Sequence, residues 1–123
     1  MDRGKFERLV AKAVDSLPDE FRTRMENIDV VVEDRPGRDH LKTLGNRRRG
    51  ETLLGLYEGV PLTARSPHYG MVVPDKITIF QETIEAQCRS EKEIVAAVRR
   101  VVLHEIAHHF GISDATLKRL GMG

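Results

Sequence analysis

From Ser90 to Phe110 the chain reads SEKEIVAAVRRVVLHEIAHHF, without a glycine or a proline, and Gly111 follows directly. No other feature constrains the fold as strongly. Ser90 and Glu93 have the spacing of a capping box, in which the serine hydroxyl accepts a backbone N–H three residues on and the glutamate reaches back to the helix start. Gly111 offers the left-handed stop that ends many helices. The apolar residues Ile94, Val95, Val98, Val101, Val102, Leu103, Ile106 and Phe110 spread around most of the helical wheel. A helix patterned in this way is expected at the centre of a domain, covered on several sides.

The rest of the chain supplies shorter elements. Phe6, Leu9, Val10, Ala13, Val14 and Leu17 recur at three- and four-residue intervals ahead of Pro18, which predicts an amphipathic N-terminal helix. A second short helix is expected from Asp19 to about Glu26. IDVVVED, residues 28–34, is β-branched and closed by Arg35-Pro36-Gly37, the pattern of a strand and turn. TLLGLY, 52–57, is a short apolar run that VPLT extends, and SPHYGMVVP, 66–74, reads as a loop. In DKITIFQET, from 75, Ile77, Ile79 and Gln81 alternate with Lys76, Thr78 and Phe80, as in a strand. A last short helix is expected from about Asp114.

On the long helix lies HEIAHHFGISD, residues 104–114. Residues on an α-helix advance about 100° each, so His104 and His108 stand about 40° apart, one turn above the other. Two imidazoles so placed can meet one ion. Glu105 lies about 100° from His104 and about 60° from His108, at the edge of that face, where a base beside a metal would stand. A catalytic zinc takes three protein donors and keeps a fourth position for water. Asp114 is the candidate third donor, because Gly111 permits the bend that an unbroken helix would deny. Asp114 as N-cap of the last helix, or a Glu or His from elsewhere as the third donor, are the alternatives. The next histidine, His109, points away from this face, towards the core or the surroundings of the site.

These residues, together with LLGLYEGVPLT, PDKITIF and LPDEFRTRMENIDVVVED, resemble the small zincin-like metallopeptidases of bacteria, the minimal MMP-like zincins, and the resemblance runs over almost the whole chain. It implies a compact α+β zincin core: an N-terminal helix, a small mixed β-sheet, a central active-site helix and a short C-terminal helix. By motif position it implies zinc ligands at His104, His108 and Asp114, and a general acid/base at Glu105. The wider metzincin pattern has His where this chain has Asp114. The expected activity is zinc-dependent hydrolysis of peptide bonds in a peptide or protein substrate. In zincins the substrate lies along a sheet edge as an added strand, for which ITIF and LLGLY are both candidates. Tyr57, His68 and Tyr69 are available to donate to the oxyanion, but each is read first as a structural aromatic of a small core or loop. The competing reading is a non-catalytic zinc-binding module of the same fold, whose fourth coordination position is filled by protein.

Length and composition narrow the rest. A chain of 123 residues is one domain's worth, so 1–123 is read as a single domain. Cys88 is the sole cysteine, which excludes an intramolecular disulfide and a Cys-rich zinc cluster. It is read as a small buried or half-buried residue rather than a nucleophile. No apolar run approaches the roughly 18 residues of a membrane span, and the charged N-terminus lacks a secretory signal, so a cytoplasmic protein is expected. Lys plus Arg number 20 against 19 acidic residues, which gives no global pull towards polyanions. Residues 35–50 are locally basic, with Arg47-Arg48-Arg49, but have no aromatics to stack bases, and a solvated loop is favoured over a nucleic-acid surface.

Overall fold

A computed structural model describes residues 1–37, 54–59, 74–111 and 114–119. Helix α1 (Arg3–Asp15) opens on Asp2, whose side chain accepts the Lys5 backbone N–H at 2.9 Å. It buries Phe6, Val10 and Ala13, three of the residues whose spacing predicted it. Helix α2 (Asp19–Arg24) starts behind Pro18 and tightens into a 3₁₀ turn at Met25–Asn27. The strands are β1 (Ile28–Glu33), β2 (Gly55–Glu58) and β3 (Asp75–Phe80). Helices α3 (Gln81–Gln87), α4 (Glu91–His109) and α5 (Asp114–Arg119) complete an α+β fold. The α+β architecture expected from the sequence is therefore present.

The described strands form a mixed sheet in the order β1-β3-β2, with β1 parallel and β2 antiparallel to β3. The register places Val30 beside Ile77, Val32 beside Ile79, Gly55 beside Ile79 and Tyr57 beside Ile77. These residues share one face, because side chains alternate along a strand. That face and α1 enclose α4: Ile77 and Ile79 join Phe6, Val98, Val102 and Ile106 in the main core, each 0% exposed. The alternation in DKITIF suggested one apolar and one more polar face. Thr78 and Phe80, on the second face, are nonetheless fully buried, and Leu56 packs with Phe80 there. The central strand is thus buried on both sides, and the Thr78 hydroxyl has no hydrogen-bond partner among the described residues.

The strand reading of QET gives way at Phe80. Gln81 begins α3, which buries Gln81 and Ile84 one turn apart. The sequence reading missed this helix, since seven residues with a single large apolar anchor give almost no periodic signal. Gln81 is held by tertiary contacts: its side-chain oxygen accepts from Arg3 Nε at 3.2 Å, and its amide donates to the Met1 carbonyl at 2.8 Å. Arg3 also donates to the Val32 carbonyl at 2.7 Å and pairs with Asp34, which ties the start of α1 to the end of β1. The capping box forms with a small shift. Ser90 Oγ accepts from the Glu93 N–H at 3.2 Å, while the Glu93 carboxylate accepts from the N–H of Arg89, one residue before the N-cap, at 2.8 Å.

Of the basic stretch, Arg35 is described and pairs with Glu82 at 3.4 Å. Arg38, Lys42 and Arg47-Arg48-Arg49 lie outside the described residues, as do VPLT and most of SPHYGMVVP. Among the described residues no helix is long and apolar enough to cross a membrane.

Candidate metal and catalytic site

Helix α4 presents His104 and His108 together on an exposed flank, with ring centroids 4.2 Å apart and planes tilted by 48°. A tetrahedral ion holds two nitrogens at about 2.0–2.1 Å, hence roughly 3.3 Å from each other. Rings this close can supply that separation, so the pair fits zinc. Among the described residues no group of three or more His, Cys, Asp and Glu side chains is gathered to hold a metal. Asp114 is the first residue of α5, and its side chain lies outside the described residues.

The placement of Glu105 follows from how α4 meets the sheet. At Gly55 on β2 an added Cβ would stand 2.6 Å from Val101 Cγ1, so the helix touches β2 there. At the other end of β2, Tyr57 stacks on His109, with centroids 4.0 Å apart and planes 16° from parallel. On the helical wheel Val101 and His109 are about 80° apart, and Glu105 lies midway, about 40° and about one turn from each. Glu105 therefore sits in the sector of α4 that faces β2. It is only 7% exposed, while His104 and His108 beside it are open to solvent. The Glu105 carboxylate is thus buried beside, and not on, the exposed flank that carries the two imidazoles.

The helix ends as the glycine implied. Gly111 has φ +70°, in the left-handed region, and Phe110 donates its N–H to the Ile106 carbonyl at 2.9 Å. An added Cβ at Gly111 would meet nothing within 4 Å, so backbone conformation alone demands the glycine. Gly111→Ala is accordingly expected to cost about 1–2 kcal/mol, the penalty of a left-handed L-residue, read as a lower Tm in thermal unfolding. An unchanged Tm would mean that the turn adopts a different backbone.

Three further residues gather where α4 ends over the sheet. The Tyr57 hydroxyl donates to Asp75 Oδ2 at 2.6 Å, and His109 Nε2 lies 3.9 Å from the same oxygen. Tyr57 is thus engaged with Asp75, in keeping with the structural reading preferred for it from sequence. His68 and Tyr69, the other candidates, lie outside the described residues. Of the two segments considered as a substrate edge, ITIF belongs to the central strand, paired on both sides, and is excluded. LLGLY contributes β2, the strand that faces Glu105. Sequence reasoning overlooked Asp75 and Gly55, although a glycine inside an apolar strand segment signals close approach of another element. At Cys88, burial and then the negative charge of Glu93 push the thiol above its ordinary pKa, against a smaller opposing effect of Arg100. It stays protonated at neutral pH, as a structural cysteine does.

A long helix carrying an HExxH segment and laid against a mixed sheet defines an α+β fold of zincin type. The family model described as zincin-like metallopeptidase matches residues 25–123, and the chain belongs to that family. No curated protein matches it. Among solved structures it is similar to a conserved hypothetical protein from Thermo thermophilus, with TM-score 0.55 and 18% identity over 89% of this chain and 94% of that one. At that identity the likeness is one of fold.

Proposed function

We propose that this chain is a zinc-dependent peptidase in which His104, His108 and Asp114 hold the ion and Glu105 is the general base. One observation carries the proposal: Glu105 is buried towards β2 while the two histidines beside it are exposed on one flank. A purely structural zinc site has no use for a carboxylate placed there. Zinc, when bound, polarises the scissile carbonyl and activates water at neutral pH. A Glu105 carboxylate oxygen takes a proton from the attacking water as its oxygen bonds to the carbonyl carbon. The protonated Glu105 then delivers that proton to the amine nitrogen as the C–N bond breaks. The substrate is a peptide lying along α4 beside β2.

Equilibrium dialysis against zinc tests the ligand assignment. The native protein is expected to take up one ion per chain, and a variant combining His104→Ala with His108→Ala to take up none. Cleavage of a peptide library should disappear in that variant and in chelator-treated protein. Undiminished zinc uptake by the double variant would dismiss the assignment.

A further inference from the structure

We infer that His109, through its stack on Tyr57, is a positioning residue that pins the last turn of α4 against the sheet and so aims the His104–His108 pair. The inference rests on the proposed metal site. Among the contacts of α4 with β2 are Val101 against Gly55 and His109 against Tyr57. They are about 12 Å apart along the helix axis and about 80° apart around it. Buried Val98, Val102 and Ile106 hold the middle of α4 in the core, and the His109 contact adds a second grip on β2, at a different height and angle from Val101, at the end of the helix that carries His108. His108 lies about 20° and His104 about 60° outside the sector so defined, and His108 is bonded in sequence to the anchoring residue itself.

The anchor is built for stiffness on the strand side. Asp75 on β3 accepts the Tyr57 hydroxyl at 2.6 Å and fixes the ring on which His109 lies. Gly59 lies beside the stack: a Cβ there would make ordinary contact, 3.8 Å from both the His109 ring and Asp75. His109 also stands perpendicular to the Phe110 ring, centroids 5.0 Å apart, and Phe110 lies under the Arg24 guanidinium at 4.9 Å. The last turn of α4 is therefore gripped from β2 on one side and from the end of α2 on the other. His109 is 40% exposed, too open to contribute much to the core. The geometry assigns it an orienting role, carried by ring stacking.

Cobalt(II) binding tests this without recourse to catalysis, because the metal's absorption reports its coordination and competition with a chelator reports its affinity. His109→Ala is expected to weaken cobalt and zinc binding about tenfold, the range typical of groups that orient metal ligands. His109→Phe keeps a flat ring on Tyr57 and is expected to stay within about twofold of the native protein, with the native spectrum. If His109→Ala fails to fold, Tyr57→Leu removes the same stack from the strand side and should show the same loss. Native affinity and spectrum in a folded His109→Ala or Tyr57→Leu protein, whatever its Tm, would overturn the inference and leave the metal site standing. Failure of the native protein to bind either metal would overturn the proposed site and this inference together.

Discussion

Glu105→Gln is expected to lower peptide hydrolysis by about 10²–10⁴-fold, the usual contribution of a positioned general base, while zinc stays at one per chain. Gln has the shape of Glu and keeps a hydrogen-bonding side chain in the position facing β2, where Glu105 is 7% exposed. It cannot accept the proton. The substitution therefore separates chemistry from metal holding, two roles that the wheel positions of Glu105 and the histidines keep apart. Single-turnover cleavage and zinc content, measured on the same preparation, give the answer. Native turnover would refute the role of general base. Loss of zinc together with turnover would make Glu105 a ligand instead.

The second large effect is expected at Gly55 on β2. An added Cβ there would stand 2.6 Å from Val101 Cγ1 and 3.1 Å from the Thr78 carbonyl oxygen, on the line where α4 meets β2. Neither neighbour is a flexible chain end, so the helix and the strand must separate. Gly55→Ala should cost about 1–3 kcal/mol, typical of overpacking, and lower Tm by several degrees. Activity should fall by more than the loss of folded protein explains, since Glu105 faces the same strand. Adding Val101→Ala removes the obstructing methyl, and the double variant should recover most of both losses. A double-mutant cycle without coupling would show that the contact does not set the helix position.

Elements with strong local signals were legible in the sequence. The long helix declares itself through its caps and the absence of breakers, and it forms from Glu91 to His109. The spacing of His104, Glu105 and His108 on it follows from helix geometry alone. The residues of α1 announced their element by period, because α1 buries one face; β3 was legible from its alternation and β-branched residues, although both of its faces are buried. Helix α3 could not be seen in this way: QETIEAQ owes its ordering to Gln81 contacts with Arg3 and Met1, at sequence separations of 78 and 80 residues.

The functional surroundings divide along the same line. The amino-acid sequence determined, by itself, a capped helix bearing two histidines and a glutamate, a glycine stop after them, and the family to which these belong. Only the tertiary structure decided that ITIF is central and so unfit to receive an added strand. It alone turned Glu105 inward towards β2, set Tyr57 on Asp75, and laid His109 on Tyr57. The physical reason is that periodicity records which side of an element is buried. What that side is buried against depends on strand order and helix roll, and these are set by contacts between residues distant in the chain.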